Sequence, residues 1–227
     1  MADCPSLIAF GSLTTWPSAA ELEQLRHTLA QYEHLLPVQD AFLRLPKLWE
    51  TLVTSDGRLE TIPGQATSEQ LAAWISGKQA LDRGQNILCL PLTILRHLCE
   101  YSKYIKETGK HSTILDHAKK GGGIQGFCAG LLSALAVAGS KDEEELGRHG
   151  ALSIRLAFAI GAYVDLDSQE NGATSCLALR WKAADRLDTV QTLLQEHSLV
   201  SLYKKTYSVP ETVLTNYRIR SRLMCQY

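Results

Sequence analysis

The chain has no excess of charge of either sign, because 23 lysine and arginine residues are offset by 24 aspartate and glutamate residues. The net charge of -1 removes the bulk electrostatic argument for a nucleic acid or an anionic membrane as partner. The longest apolar run, Gly126–Gly139, falls well short of the roughly 20 residues that a membrane-spanning helix needs. The N-terminus lacks the basic segment and the apolar stretch of a signal peptide. We therefore predict a cytoplasmic protein with neither nucleic acid nor membrane as partner.

The six cysteines form no C-x-x-C pair and no Cys/His cluster with the spacing of a zinc site. No other pattern indicates a metal, nucleotide or flavin, so the sequence predicts no bound cofactor. In a reducing compartment such cysteines are free thiols, and most of them are small buried hydrophobes. A cysteine with a chemical role must be singled out by its neighbours. The six are Cys4, Cys89, Cys99, Cys128, Cys176 and Cys225.

Hydrophobic residues make up 45% of the chain, enough for a sizeable core without disulfides or metal. Leu7–Phe10 is predicted to be a short strand, and Ser18 and Glu21 form a capping box at the start of a helix. A strong amphipathic helix is predicted at Pro91–Glu107 and ends at Gly109. Other expected elements are a helical segment at Ala41–Val53 broken by Pro46, a short helix capped by Thr67 and Gln70, a mobile loop at Gly109–Gly123, and an apolar helix that begins at Cys128.

A longer helix is predicted from about Asp142 to Val164, with acidic residues in its first turn that suit the positive end of the helix dipole. Leu152, Leu156 and Ile160 are expected to form its buried ridge. The polar segment Asp165–Thr174 indicates a loop and a domain boundary. We therefore predict a large α/β unit at 1–170 and a small, incomplete unit at 171–227, in which a strand, a helix and a strand are expected at Cys176–Trp181, Ala183–His197 and Leu199–Tyr207.

A G-x-C-x-G motif, Gly126-Phe127-Cys128-Ala129-Gly130, stands directly before an apolar helix of small residues. This pattern is typical of a nucleophile elbow, a sharp turn that lifts the nucleophile to the N-terminus of a helix while glycines leave room for the backbone. The helix N-terminus would stabilise a thiolate, and backbone N–H groups of its first turn would bind a developing oxyanion. Taken alone, the motif is equally typical of a buried structural cysteine in a glycine-rich turn.

Four segments occur in a recognisable order: LIAFGSL, LRLPKLWETL, NILCLPLTILRHLCEY and GFCAGLLSALAVAGSKDEEELGRHGALSIRLAFAIGAYVD. Together they resemble the starter-unit acyl-carrier-protein transacylase (SAT) domain of fungal non-reducing polyketide synthases, over about residues 6–205. The resemblance implies a malonyl-transacylase-like fold, in which an α/β-hydrolase-like large domain carries a ferredoxin-like small insert. It implies a Cys/His dyad that takes a short or medium acyl group from acyl-CoA, or from another acyl thioester. The acceptor would be the phosphopantetheine arm of an acyl carrier protein, with the rest of a polyketide synthase as a further expected partner.

The resemblance assigns roles to residues on both sides of the motif. Cys128 matches the family nucleophile, and the backbone N–H of Ala129 would bind the oxyanion. Gly126, Phe127 and Gly130 complete the elbow, and a second oxyanion donor is expected near Ser12 and Leu13.

Arg155 follows Cys128 by 27 residues, close to where malonyl-selecting relatives hold a substrate carboxylate with an arginine. Starter transacylases mostly handle acyl groups that lack this carboxylate. We therefore expect a structural or acyl-carrier-facing role for Arg155 rather than substrate selection.

The chain departs from the family pattern at its end. The family's catalytic histidine belongs to a G-x-H-G-R-x-H-like segment after the small insert, and no such segment occurs here, so we expect a C-terminally truncated domain. His97 and His149 flank the motif in sequence, but His97 is more typical of a helix-face residue and His149 of a surface residue in the first turns of a helix. His111 and His117 are expected to be solvated. Two alternatives stay open beside the acyltransferase: a non-catalytic remnant or acyl-carrier-interaction protein that lacks the dyad, and a cysteine hydrolase of the same fold.

Overall fold

A computed structural model of the chain describes residues 7–11 and 16–171. Within these residues it contains two strands, eight α-helices and two short 3₁₀ turns, at Glu33–Leu35 and Gly57–Thr61. The elements in chain order are β1 Leu7–Phe10, α1 Ala19–Gln31, α2 Leu36–Leu43, α3 Leu45–Ser55, α4 Gly64–Ile75, α5 Asn86–Thr108, α6 His111–Lys120, β2 Gly123–Gly126, α7 Gly130–Ala138 and α8 Glu143–Asn171.

The two strands form a parallel pair in which Leu7 lies opposite Gly123 and Phe10 lies opposite Gly126. Parallel neighbours need a long crossover connection, and helices α1 to α6 supply it. The α/β class predicted from the sequence is therefore confirmed for the described residues, while the malonyl-transacylase-like and ferredoxin-like assignments stay predictions. Strand β2 was not predicted, because Gly-Ile-Gln-Gly carries almost no side-chain pattern of a strand.

The core lies where the two longest helices, α5 and α8, pack against each other and against α2. Large side chains from these helices and their neighbours are fully buried there. Trp49 of α3 meets the edge of Phe158 of α8, with ring centroids 6.2 Å apart, and Phe42 meets Trp74 at 6.4 Å. Such edge-to-face pairs add to the free energy gained from burying apolar area.

Helix α8 buries a different stripe from the one predicted. Leu152, Leu156 and Ile160 are exposed, so their assignment to a buried ridge is wrong. The buried side chains are mainly small or aromatic and belong to the neighbouring stripe, with Ile154, Ala157, Phe158 and Ala162. Both stripes have helical spacing, so periodicity alone could not distinguish the inner from the outer one.

The segment predicted as a mobile loop at Gly109–Gly123 is wrong in its main part, because it contains helix α6 and the start of β2. Ile114, Leu115 and Ala118 bury one face of this ten-residue helix. The helix is short and ends on two lysines, so its apolar pattern is weak in the sequence.

Several helix ends differ from the predicted ones. Helix α4 begins at Gly64, ahead of the predicted cap at Thr67, and α7 begins at Gly130 rather than at Cys128. The break near Pro46 is confirmed, since α2 ends at Leu43 and α3 begins at Leu45 with the proline in its first turn.

Helix α8 continues to Asn171, so the loop predicted at Asp165–Thr174 is wrong over its described part. Asp165 is buried in this helix, and its carboxylate accepts hydrogen bonds from the backbone N–H groups of Asn86 and Ile87 at 3.1 and 2.8 Å. The carboxylate thus caps α5, which begins at Asn86 rather than at Pro91. The predicted elements at 176–207, and the small unit that they were expected to form, lie outside the described residues.

The predicted capping box of α1 is confirmed in detail. The Ser18 hydroxyl oxygen accepts from the Glu21 N–H at 3.3 Å, and the Glu21 carboxylate accepts from the Ser18 N–H at 2.7 Å. The hydrogen bond from the Ser18 N–H is the main cause that lowers the pKa of Glu21, and the hydrogen bond with the Ser18 hydroxyl lowers it further.

Ser18→Ala is expected to lower the free energy of unfolding by about 1 kcal/mol, since it removes the oxygen that caps α1. Urea denaturation measures this loss. Ser112→Ala, at an exposed position in the first turn of α6, is the control and should stay within about 0.5 kcal/mol of the wild type. Equal losses for the two variants would contradict the capping argument.

No helix in the described part of the chain is long and apolar enough to cross a membrane.

Candidate functional site

The G-x-C-x-G motif forms a sharp turn between β2 and α7. The N–H of Phe127 donates to the carbonyl of Phe10 at 2.9 Å, which extends the pairing of the two strands by one residue. Cys128 then has a φ of 56°, and among the described residues it is the one non-glycine residue with a positive φ. Such a conformation costs free energy and persists where the surrounding structure holds it, a situation typical of functional sites. The next N–H groups, of Gly130 and Leu131, donate back to Phe127 and Cys128 and start the helix.

Both glycines of the motif stand where a side chain has no room. A Cβ atom on Gly126 would lie 2.4 Å from the carbonyl oxygen of Gly130, and one on Gly130 would lie 2.2 Å from the carbonyl oxygen of Phe10. Backbone atoms cannot rotate out of such a contact. The turn therefore needs glycine at both positions, as the elbow interpretation of the sequence predicts.

Cys128 differs from the other described cysteines in its exposure. Its thiol is free and exposed at the start of α7, which excludes the alternative of a buried structural cysteine. Cys99 is buried, and desolvation raises the pKa of its thiol to about 12. Cys89 is half-buried, and desolvation raises its pKa as well. Of the three cysteines in the part of the chain that the structure describes, Cys128 is the most accessible to a reagent from solvent.

His97 of α5 contacts both α7 and β1 and is buried, with only 9% of its surface exposed. Its Nδ1 is 2.9 Å from the hydroxyl oxygen of Ser133 on α7, and its ring packs against Phe10 with centroids 5.3 Å apart. Desolvation is the main cause that lowers the pKa of His97, to about 4, so the ring is neutral near pH 7. Ser133 and Phe10 were not singled out in the sequence, because neither has a local motif.

The structure also places the other three histidines named in the sequence. His117, expected to be solvated, is exposed on α6, as predicted. The Nδ1 of His149 is 2.9 Å from the hydroxyl oxygen of Ser140, which follows the C-terminus of α7. The nine residues of α7 span about 13 Å, so His149 lies at the opposite end from Cys128. His111, expected to be solvated, is instead buried, with its ring between the Tyr101 hydroxyl at 2.9 Å and the Ser140 carbonyl at 3.0 Å.

Exposed apolar side chains surround the elbow. Phe127 is 71% exposed and Leu131 is 52% exposed, so both are accessible to an acyl chain that approaches Cys128. Phe158, in contrast, is fully buried against Trp49 and belongs to the core.

Arg155 is exposed on α8, between the exposed Leu152 and Leu156. A contact of Arg155 with substrate or with an acyl carrier stays a prediction. Ser12 and Leu13, expected to supply a second oxyanion donor, lie outside the described residues; β1 ends two residues before Ser12, opposite Gly126. Among residues 7–11 and 16–171, no group of three or more His, Cys, Asp or Glu side chains is arranged to hold a metal ion.

Comparison with known proteins places these features in a family. Residues 14–202 match the family described as "Starter unit:ACP transacylase in aflatoxin biosynthesis". The chain is 46% identical over 202 residues to methylphloroacetophenone synthase of Cladonia uncialis, a match over 85% of this chain and 8% of that protein. It is 36% identical over 199 residues to 5-methylorsellinic acid synthase of Aspergillus terreus, covering 86% and 8%, respectively. It is 36% identical over 195 residues to the non-reducing polyketide synthase pkbA of Emericella nidulans, covering 82% and 8%. The chain thus spans less than a tenth of the length of these relatives.

Proposed function

Because this chain belongs to the starter unit:ACP transacylase family, we propose that it transfers an acyl starter unit through Cys128 to an acyl carrier protein in polyketide biosynthesis. The donor is acyl-CoA or an acyl-carrier thioester, and the acceptor is the phosphopantetheine thiol of the carrier. The carrier protein and the other parts of a polyketide synthase are the proposed partners. The observation that carries the proposal is the conformation of Cys128: an exposed thiol with a φ of 56° in a sharp turn at the start of α7.

The proposed reaction has two balanced steps. In the first, the Cys128 thiolate attacks the carbonyl carbon of the donor thioester, and the tetrahedral oxyanion collapses with release of the donor thiolate, which takes up a proton. In the second, the phosphopantetheine thiolate attacks the Cys128 thioester and releases the enzyme thiolate. Each step exchanges one sulfur for another, so little free energy separates donor, acyl-enzyme and product.

Backbone groups of the elbow are proposed to stabilise the oxyanion. The N–H of Ala129 is the first expected donor, at the N-terminus of α7, where the helix dipole favours negative charge. A second donor is proposed from Ser12 or Leu13. Gly126, Phe127 and Gly130 shape the turn, and Phe127 and Leu131 offer an apolar surface for the acyl chain.

In the described residues the structure shows no base matched to Cys128, and this favours one alternative, a non-catalytic acyl-carrier-interaction protein. Among the described residues no histidine is paired with Cys128, since His97 is buried against Ser133 and His149 lies at the other end of α7. General-base catalysis typically contributes about 10²–10⁴-fold to the rate. We therefore expect acylation of this chain to be observable but slow.

Intact mass spectrometry after incubation with acetyl-, hexanoyl- and malonyl-CoA tests the proposal. The wild type should gain the mass of one acyl group, and Cys128→Ala should gain none. Cys89→Ala, which removes the half-buried thiol instead, is the matched control and should be acylated like the wild type. The preferred donor identifies the starter.

Three other outcomes would overturn the proposal. If no donor leaves an adduct while iodoacetamide alkylates Cys128, the non-catalytic alternative is correct. If Cys128→Ala is acylated like the wild type, another nucleophile acts. If an acyl-enzyme forms but yields free acid rather than an acylated phosphopantetheinyl carrier protein, the chain is a cysteine hydrolase.

A further inference from the structure

Three residues on the elements around the elbow form a cluster: Phe10 of β1, His97 of α5 and Ser133 of α7. All three are buried, and Ser133 has no exposed surface. His97 contacts the other two, Ser133 through the 2.9 Å hydrogen bond at Nδ1 and Phe10 through the ring contact at 5.3 Å. The Phe10 ring also meets the edge of Tyr101 at 6.3 Å, one turn further along α5. Helix α5 thus contacts β1 and α7, two of the three elements that adjoin the elbow.

Phe10 fixes the chain on both sides of Cys128. Its carbonyl oxygen accepts the N–H of Phe127, the residue before Cys128, at 2.9 Å. The same oxygen lies so close to Gly130, two residues after Cys128, that a Cβ there would be 2.2 Å away. A movement of β1 relative to α7 is therefore expected to change the backbone at Cys128, since Phe10 is hydrogen-bonded to the residue before Cys128 and packed against Gly130 after it.

His97 acts in this cluster through contact rather than through charge. Its low pKa leaves the imidazole neutral near pH 7. Since the Ser133 hydroxyl can either donate or accept, the bond to Nδ1 forms with either tautomer of the ring. The His97 ring is buried, whereas Cys128 is exposed.

We propose that His97 is a positioning residue for the nucleophile: by binding Ser133 and packing on Phe10, it sets the separation of β1 and α7 that keeps Cys128 in its left-handed conformation. Left-handed backbone at a non-glycine residue persists only where the surroundings over-determine it. Phe10, His97 and Ser133 supply that constraint here. Where it is tested by acyl transfer, the inference rests on the proposed function. The shape of the elbow is measurable without an acyl donor, so that part does not depend on it.

The test compares His97→Leu, which removes the hydrogen bond at similar volume, with His97→Asn, whose amide can still reach Ser133. His149→Leu is the matched control, because His149 makes the same kind of bond, Nδ1 to a serine hydroxyl at 2.9 Å, at the other end of α7. Two readouts are taken on each full-length variant. They are the rate of acyl-Cys128 formation by intact mass, and the rate of Cys128 alkylation by iodoacetamide as a function of pH.

His97→Leu is expected to lower the acylation rate by roughly tenfold and to change the alkylation profile, since displacing a reacting atom by about 1 Å can cost about 10²-fold. His97→Asn should recover most of both readouts. His149→Leu should leave both within about twofold of the wild type, even where it lowers the melting temperature as much as His97→Leu does.

Three results would overturn the inference. If His97→Leu and His149→Leu change Cys128 equally, His97 contributes only to general stability. If His97→Asn keeps the wild-type alkylation profile but loses acylation, the imidazole acts as a base. If His97→Asn recovers neither readout, the hydrogen bond to Ser133 is not what positions the elbow.

Two further measurements test the inference if His97→Leu does not fold or if no donor acylates the wild type. If His97→Leu does not fold, Ser133→Ala removes only the hydroxyl and should change the alkylation profile in the same direction. If no donor acylates the wild type, the proposed function fails, but hydrogen exchange at the Phe127 N–H still tests the positioning role. That exchange should be faster in His97→Leu and unchanged in His149→Leu. Unchanged exchange in both variants would overturn the inference by itself.

Discussion

Gly130→Ala is expected to destabilise the protein by about 3 kcal/mol and to lower acylation of Cys128 by about 10²-fold. The added Cβ would lie 2.2 Å from the carbonyl oxygen of Phe10, 2.6 Å from its carbonyl carbon and 3.1 Å from the carbonyl oxygen of Gly11. All three are backbone atoms, so the contact is relieved only if β1 moves away from α7. That movement breaks the bond from the Phe127 N–H to Phe10 and displaces Cys128.

Urea denaturation and intact mass after incubation with the preferred acyl-CoA measure the two effects of Gly130→Ala. Gly57→Ala is the matched control, because a Cβ at Gly57 meets no atom within 4 Å. The control should be as stable as the wild type and as readily acylated. A Gly130→Ala variant with wild-type stability and acylation would show that the elbow tolerates a side chain and would contradict the geometry described for it.

Asp165→Ala is expected to lower the free energy of unfolding by about 3 kcal/mol, because it removes the carboxylate that caps α5 from α8. That carboxylate accepts three hydrogen bonds: from the Asn86 N–H at 3.1 Å, the Asn86 side-chain amide at 2.8 Å and the Ile87 N–H at 2.8 Å. Asp165 and Ile87 are buried, so water cannot readily replace the lost oxygen atoms. Backbone N–H groups left without an acceptor carry the full cost of their desolvation.

Denaturation of three variants in urea separates the cap from a general effect of charge. Asp165→Asn keeps one acceptor oxygen and should lose less stability than Asp165→Ala. Asp82→Ala, at an exposed position shortly before α5, should change the free energy of unfolding by less than about 0.5 kcal/mol. If Asp165→Ala and Asp82→Ala lose equally little, the buried carboxylate does not stabilise the start of α5.

Features that depend on neighbours along the chain were predictable from the sequence. Ser18 and Glu21 are three residues apart, so their reciprocal bonds follow from local geometry. The end of α5 at Gly109 follows from the conformational freedom of glycine, which has a φ of 128° there. The G-x-C-x-G motif marked the elbow in the same way, although the backbone of Phe10 on β1 also contacts the turn at Phe127 and Gly130.

Features that depend on distant partners were missed or misassigned. Asp165 was expected in a loop, because an acidic residue in a polar stretch is typical of one, yet its partners lie 79 and 78 residues earlier in the chain. His97 was expected on a helix face, and its partner Ser133 lies 36 residues later. No local pattern marks either contact.

The resemblance of four sequence segments identified the family, which the match over residues 14–202 confirms. The sequence by itself also determined the turn motif around Cys128 and most of the helical segments, because steric limits and short-range hydrogen bonds act between residues close along the chain. The tertiary structure alone decided which stripe of α8 is buried and where His97 and Asp165 make their bonds. Leu152 and Phe158 are both apolar residues of one helix, but only Phe158 meets α3, where Trp49 covers it. Burial is a property of the packed pair rather than of either helix, since apolar area leaves water only when a second surface covers it.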